Sequence, residues 1–186
     1  MQRYWYGNSA MKKLNIDNAD ILGFSNGGNT AMQLYHRHPV VVGKLILASA
    51  FYKREGMLPG FFEGMKDATL DNMPRELKDE FIKVNPDTAK LRNMFNKDKE
   101  RMMNFRDWDD AVLTSIKVPT LIICGDKDVV VAQHAVAMSK LIANSRLMLL
   151  PSEHGTYIGV AEVPMYDSEL VQLTARVIDN FLSNMP

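Results

Sequence analysis

The chain has 186 residues, of which 46% are hydrophobic and 24% are charged, and its 22 basic and 22 acidic residues cancel. This composition is typical of a globular protein with one sizeable domain, and no apolar run reaches the roughly 18 residues that a membrane-spanning helix needs. The balanced charge and the lack of a basic patch give no support to a nucleic-acid partner. The single cysteine, Cys124, excludes an internal disulfide and lies in an apolar run, so it is predicted to be a core residue. Because Met1–Lys13 contains no apolar segment of signal-peptide length, we expect a cytoplasmic protein.

The first part of the chain alternates between helical patterns and short apolar segments. A helix is predicted over Gly7–Leu14 and is followed by an apolar strand over Ala19–Phe24. Helical spacing then extends over Gly27–Arg37, and a proline two residues later marks its end. A second buried strand is predicted over Lys44–Ala50. Strands of this continuous apolar kind are typical of a parallel sheet.

The alternation stops between about Lys53 and Lys117, where no convincing strand occurs. One helical face combines Leu77, Phe81 and Val84. A second face combines five apolar residues: Leu91, Met94, Phe95, Met102 and Phe105. Asp87 follows a proline and is predicted to cap the second of these helices. We therefore divide the chain into an α/β core, residues 1–52 and 118–186, and a helical insertion, residues 53–117.

The alternation returns after the insertion. Strands are predicted over Thr120–Cys124 and Arg146–Leu150, with a helix over Ala132–Ala143 between them. A closing helix over Ser168–Leu182 is expected to bury one apolar stripe: Leu170, Leu173, Val177, Ile178 and Phe181. Strands that alternate with helices in this way predict an α/β fold with a parallel sheet covered by helices on both faces.

A serine stands between glycines where the first strand turns into the following helix: Gly23-Phe24-Ser25-Asn26-Gly27. This G-x-S-x-G pattern is typical of a nucleophile elbow, in which a sharp, strained turn exposes the serine hydroxyl. The glycines are expected to leave room for the strand and the helix to approach each other. The backbone N–H of Asn26 would then donate to an oxyanion at the helix N-terminus. The alternative is that Ser25 only caps the helix.

Candidate partners for this serine follow the last two predicted strands. Asp126 and Asp128 come directly after the third strand, and His154 comes directly after the fourth. The order Ser, Asp, His is that of a hydrolase triad on an open α/β sheet. Either aspartate could instead serve as a turn residue or as a cap for the next helix, so the residues alone leave the choice between them open.

The remaining histidines are weaker candidates. His36 and His38 lie near the end of a helix, where a cationic side chain suits the helix dipole. His134 falls on the helix after the aspartate loop, which we expect to lie at the surface. The spacing of the histidines and the cysteine predicts no metal site.

With these residues assembled, the chain resembles the α/β-hydrolase fold family over most of its length. The motifs are the "ILGFSNGG" elbow, the "PTLIICGDKDVV" acid strand and the "LLPSEHG" histidine loop, with a helical cap between the first two. The resemblance implies Ser25 as nucleophile, Asp128 rather than Asp126 as acid, and His154 as base. It also implies a two-step acyl transfer on a small ester or related carbonyl compound, with no cofactor and no metal.

The sequence departs from the family before the elbow strand. Family members have further strands there, and the loop after one of them begins with His-Gly and supplies a second oxyanion N–H, but no His-Gly precedes Ser25. We therefore expect the C-terminal part of an α/β-hydrolase sheet that lacks its N-terminal strands. Losing one oxyanion donor typically costs about 10²–10³ in turnover, so the alternative to an active hydrolase is a non-catalytic fragment or binding module. The elbow strand would also lie at an exposed sheet edge, through which we expect self-association.

Overall fold

The computed structural model describes residues 11–160 and 168–184. A parallel sheet of four strands lies at its centre, with the strands side by side in sequence order. The strands are β1 (Ala19–Phe24), β2 (Val42–Ala48), β3 (Thr120–Lys127) and β4 (Ser145–Glu153). The helices are α1 (Asn26–Arg37), α2 (Phe61–Asp67), α3 (Arg75–Val84), α4 (Thr88–Met103), α5 (Asp110–Thr114), α6 (Ala132–Leu141) and α7 (Ser168–Asn184). The predicted α/β fold is thus confirmed. The first half of the helix predicted over Gly7–Leu14 lies outside the described residues, and residues 11–13 are helical.

The sheet is covered on both faces because alternate residues of each strand point to opposite sides. In β2, Leu45 and Leu47 pack in one cluster with side chains of α1 and α6. Ile46 and Ala48 pack in a second cluster with Phe181 of α7. The two clusters therefore hold the strands between α1 and α6 on one face and α7 on the other.

Most predicted core positions are buried or partly buried, and two are exposed. Cys124 is a core residue, as predicted, because only 1% of it is exposed and burial raises the pKa of its thiol to about 12. The prediction is wrong for Leu173, which is 50% exposed on α7. It is also wrong for Val84, which is 87% exposed. Val84 is the last residue of α3, a helix that buries no side chain completely.

Helices α2 to α5 follow β2 and precede β3, in the part of the chain predicted to be a helical insertion. The side chain of Asp87 accepts hydrogen bonds from the N–H groups of Ala89 and Lys90, at 2.9 and 3.1 Å. These two bonds satisfy donors that the first turn of α4 cannot pair internally. The predicted cap is therefore confirmed.

The start of the insertion is fastened to the loop after β3. Residues 56–58 lie antiparallel to residues 129–131. Two backbone hydrogen bonds join these segments, from Leu58 N–H to Val129 O at 2.8 Å and from Val131 N–H to Gly56 O at 2.9 Å. The insertion is therefore held directly beside Asp128.

The four strands are parallel, so all their carboxyl ends meet at one edge of the sheet. In the part of the chain that the structure describes, no helix is both long and apolar enough to cross a lipid bilayer.

Candidate active site

Ser25 occupies a strained turn between β1 and α1. Its backbone has φ 51° and ψ −119°, and a positive φ is uncommon for a residue with a side chain. Its N–H donates to Ala48 O at 2.8 Å, and its carbonyl accepts from Gly28 N–H at 2.9 Å. The side chain makes no capping hydrogen bond to α1, so the reading of Ser25 as a simple helix cap is wrong.

The turn depends on Gly23 and Gly28, whereas the sequence predicts a role for Gly23 and Gly27. A Cβ at Gly23 would lie 2.4 Å from Gly27 O, and a Cβ at Gly28 would lie 2.5 Å from the Cβ of Ala50. A Cβ at Gly27 would meet nothing within 4 Å. The expectation that Gly27 makes room for the strand is therefore wrong, because Gly28 is the helix residue that faces β1 and the segment after β2.

Asp128 and His154 are in direct contact. His154 Nδ1 lies 2.6 Å from Asp128 Oδ1, which also accepts from Val130 N–H at 3.0 Å. Asp128 is only 3% exposed. Its burial opposes ionisation, but hydrogen bonds from His154, Ser49 and Val130 outweigh that effect and hold its pKa below the ordinary value.

Asp126 has a different position. It is exposed, and its Oδ1 accepts from Ser152 N–H at 2.9 Å, which links the ends of β3 and β4. The turn role allowed for either aspartate is performed by Asp128, which accepts from the N–H two residues ahead while also contacting His154.

The ring of His154 lies against Phe24, the residue before Ser25. The two ring centroids are 4.7 Å apart and the planes are tilted by 38°. Gly155 has φ 74°, and a Cβ there would lie 2.7 Å from Cζ of Phe24. Within the described part of the chain, Ser25 Oγ forms no hydrogen bond with His154. In unliganded sites the contact between nucleophile and base is often long and tightens only with substrate.

Comparisons with known proteins show what the chain is similar to. No protein-family model matches the chain. The AB hydrolase superfamily protein YisY of Bacillus subtilis (strain 168) is 35% identical over 136 residues, which are 62% of this chain and 51% of that protein. The chain therefore spans about half the length of the curated relative that it matches.

Solved structures match the chain over nearly its whole length. The esterase EaEST from Exiguobacterium antarcticum has a TM-score of 0.68 at 27% identity, over 97% of this chain and 72% of that one. The meta-cleavage product hydrolase CumD from Pseudomonas fluorescens has a TM-score of 0.69 at 20% identity, over 95% and 69%. The enol-lactonase from Burkholderia xenovorans has a TM-score of 0.67 at 22% identity, over 98% and 72%. The chain has the α/β-hydrolase fold.

Within this α/β-hydrolase sheet, Asn26 is the first residue of α1. Its backbone N–H therefore has no acceptor inside the helix and lies at the positive end of the helix dipole. Among residues 11–160 and 168–184, no three His, Cys, Asp or Glu side chains come together as a metal site would require.

Two further polar residues of the α/β-hydrolase core were not expected from the sequence. Ser49, fully buried after β2, donates a hydrogen bond to Asp128 Oδ2, and Tyr157 OH lies 2.7 Å from Ser49 Oγ. The only sequence signal for Ser49 is a hydroxyl residue that interrupts an apolar segment.

His134 was expected on a surface helix, and this is wrong because the residue is 5% exposed. Its Nε2 accepts from Tyr52 N–H at 3.2 Å, and its ring stacks on Tyr52 with centroids 4.8 Å apart. Burial, and to a lesser extent the Lys53 ammonium, lowers the pKa of His134 to about 4. The signal for burial was available, because Ala135 and Met138 mark the same face of α6 as apolar.

We expect the buried His134 to make the stability of the chain depend on pH. In the folded chain the pKa of His134 lies below its ordinary value of 6.5. As the pH falls, His134 is therefore protonated in the unfolded chain before it is protonated in the folded chain. The free energy of unfolding should therefore fall between about pH 6.5 and pH 4, by on the order of 3 kcal/mol. Urea unfolding at several pH values measures this slope. In the variant His134→Gln, the amide oxygen can accept from Tyr52 N–H but does not titrate. The change of unfolding free energy with pH should be much smaller in this variant, and an equal change in both proteins would contradict the prediction.

Proposed function

We propose that the chain carries the nucleophile, base and acid of a serine hydrolase that acts on an ester or related carbonyl compound. The observation that carries this proposal is the hydrogen bond between Asp128 and His154, formed beside a strained elbow that presents Ser25. The ring contact between His154 and Phe24 supports it, because Phe24 directly precedes the serine.

The protonation states of the dyad support His154 as the base. Asp128 is ionised near neutral pH because its pKa is lowered, so it can only accept hydrogen bonds. The proton of the neutral imidazole therefore lies on Nδ1, and Nε2 is left as the acceptor. His154 Nε2 takes the proton of Ser25 as Oγ attacks the carbonyl carbon, and Asp128 stabilises the imidazolium that forms.

The remaining steps need no cofactor. The backbone N–H of Asn26 donates to the oxyanion at the start of α1. His154 returns its proton to the leaving group, and an acyl-enzyme on Ser25 results. His154 then activates a water molecule, which releases the acid product and restores Ser25.

The substrate class is proposed from the relatives. The similar structures include an esterase, an enol-lactonase and a meta-cleavage product hydrolase. Since an esterase shares 27% identity over 97% of this chain, simple esters and lactones are the first candidates. We extend the proposal to a cytoplasmic protein, since one buried cysteine needs no oxidising compartment.

A second candidate function is a non-catalytic binding module. Among the described residues, Ser25 Oγ and His154 form no hydrogen bond, and this favours the binding module. In this case the triad residues are encoded but the serine is not activated.

Reaction with a fluorophosphonate probe separates these two functions. We expect the folded chain to gain the mass of one phosphonyl group at Ser25, because an activated serine attacks the phosphorus as it attacks a carbonyl. Intact-mass spectrometry measures the adduct, and peptide mapping locates it. The variant Ser25→Ala and the urea-denatured chain should gain no mass. A folded chain, verified by circular dichroism, that forms no adduct would favour the binding module.

We also propose that the chain self-associates through β1. Among the described strands, β1 lies at the sheet edge, and its Leu22 is 47% exposed. An apolar edge strand with free N–H and C=O groups pairs readily with another strand. We expect light scattering to give a mass above the 21.1 kDa of one chain, and Leu22→Lys to restore that mass. A sharp monomer at high concentration would contradict this proposal.

A further inference from the structure

The site has a fourth side chain at the same edge of the sheet. Each candidate triad residue directly follows a strand: Ser25 follows β1, Asp128 follows β3 and His154 follows β4. Ser49 directly follows β2, so it occupies the equivalent position on the remaining strand. All four strand ends therefore contribute one polar side chain to the same region.

The backbone of Ser49 is strained. It has φ 48°, in the left-handed region that favours glycine, and the residue is 0% exposed. Its N–H is fixed by a 2.8 Å hydrogen bond to Ile123 O. A glycine would adopt this conformation at lower cost, and a buried hydroxyl must find a partner. The backbone geometry therefore does not explain why position 49 holds a serine and not a glycine.

Hydrogen bonds connect Ser49 to both Asp128 and Tyr157. Since Asp128 is ionised, the Ser49 hydroxyl must donate to its Oδ2. Ser49 Oγ then accepts from Tyr157 OH, which is 2.7 Å away, whereas the other acceptor near that hydroxyl, Ile123 O, is 3.5 Å away. Tyr157 is fully buried, and burial raises the pKa of its phenol, so it keeps the proton that it donates. The donors run in one direction, from Tyr157 to Ser49 to Asp128.

We propose that Ser49 and Tyr157 are positioning residues that hold Asp128 so that its Oδ1 faces His154 Nδ1. Ser49 fixes Oδ2, and Tyr157 orients the Ser49 hydroxyl. With Oδ2 fixed, Oδ1 is left for His154 and for the N–H of Val130. The pair thereby selects the tautomer of His154 whose Nε2 is free. This inference rests on the proposed function, because the tautomer matters for catalysis only if His154 is the base.

The tautomer of His154 can be measured directly, whether or not the chain is active. With ¹⁵N-labelled histidine, the ring nitrogen shifts at pH 8 give the ratio of the Nδ1–H form to the Nε2–H form, and His154→Gln assigns the signals. We expect the Nδ1–H form to dominate in the unmodified chain. In Ser49→Gly, which removes the hydroxyl and relieves the backbone strain, the ratio should fall about tenfold, as the loss of a hydrogen bond to a charged group implies. Tyr157→Phe should lower it less.

The matched control is Thr174→Ala, which removes a buried hydroxyl on α7 that donates to Leu170 O and, among the described residues, makes no hydrogen bond to Asp128, Ser49 or Tyr157. It should leave the tautomer ratio unchanged. If the ratio is the same in Ser49→Gly as in the unmodified chain, the inference is overturned. If Ser49→Gly changes the ratio while the unmodified chain forms no fluorophosphonate adduct, the positioning role stands and the proposed hydrolase activity fails. Where the chain does react, the rate of phosphonylation should fall about tenfold with the ratio.

Discussion

Replacing Asp128 with asparagine is expected to lower the rate of ester hydrolysis by about 10³- to 10⁴-fold, while the same change at Asp126 should alter it less than about threefold. Asp126 lies near the end of β3 and Asp128 directly follows that strand, and only Asp128 contacts His154. Asp128 accepts hydrogen bonds from His154, Ser49 and Val130, and a carboxylate can accept all three. An amide cannot, because only its oxygen accepts and its NH₂ group can only donate, whereas Asp128 accepts at both oxygens.

Either orientation of the amide damages the site. If its NH₂ group faces His154, Nδ1 must accept a hydrogen bond instead of donating one. The ring proton then lies on Nε2, which can no longer accept the proton of Ser25. If its NH₂ group faces Ser49 instead, the tautomer is kept, but the buried negative charge that stabilises the imidazolium is lost. Both cases slow proton transfer from the serine.

Initial rates with a p-nitrophenyl ester measure this difference, with thermal unfolding as the control for folding. Asp126→Asn is the matched variant, because it removes a carboxylate only two residues away and can still accept from Ser152 N–H. Equal losses in the two variants would mean that Asp128 has no special role. An active Asp128→Asn chain would contradict the proposed mechanism.

The second large effect concerns the glycines of the elbow. Gly23→Ala is expected to destabilise the chain by about 3 kcal/mol or more, or to prevent folding. The new Cβ would lie 2.4 to 2.7 Å from backbone atoms of Gly27 and Gly28, and backbone atoms cannot move aside as a flexible side chain can. Relief would require α1 to move away from β1.

Gly27→Ala is the matched control for this prediction. Its Cβ would meet open space, and alanine favours a helix by up to about 1 kcal/mol over glycine, so stability should stay the same or rise. Urea unfolding of the two variants gives the comparison. If Gly27→Ala were as damaging as Gly23→Ala, the close approach at Gly23 would not be the cause.

The sequence predicts the fold well where the signals are local. Each predicted strand has a counterpart in the sheet, because a continuous apolar run marks the part of a strand buried on both faces. It does not mark the polar end. The prediction ends the third strand at Cys124, whereas β3 continues to Lys127, which pairs with Glu153 although its side chain is exposed.

The site is predictable only in part, for a related reason. Ser25, Asp128 and His154 can be selected because each follows a strand and their order matches a known pattern. Whether Ser25 acts as the nucleophile stays a prediction. Ser49 and Tyr157 have no local pattern, since their relevant contacts lie 79 and 108 residues apart along the chain. Such contacts exist only once the sheet has formed.

The antiparallel contact between residues 56–58 and 129–131 has a mechanical consequence. Two backbone hydrogen bonds join the start of the insertion to the segment that follows Asp128. Neither segment can move at this point without stretching these bonds. Under the proposed function, displacing the insertion at this contact would shift Asp128, the residue proposed to orient His154. Movement of the insertion and the position of the proposed acid would then be coupled through the backbone of residues 128–131.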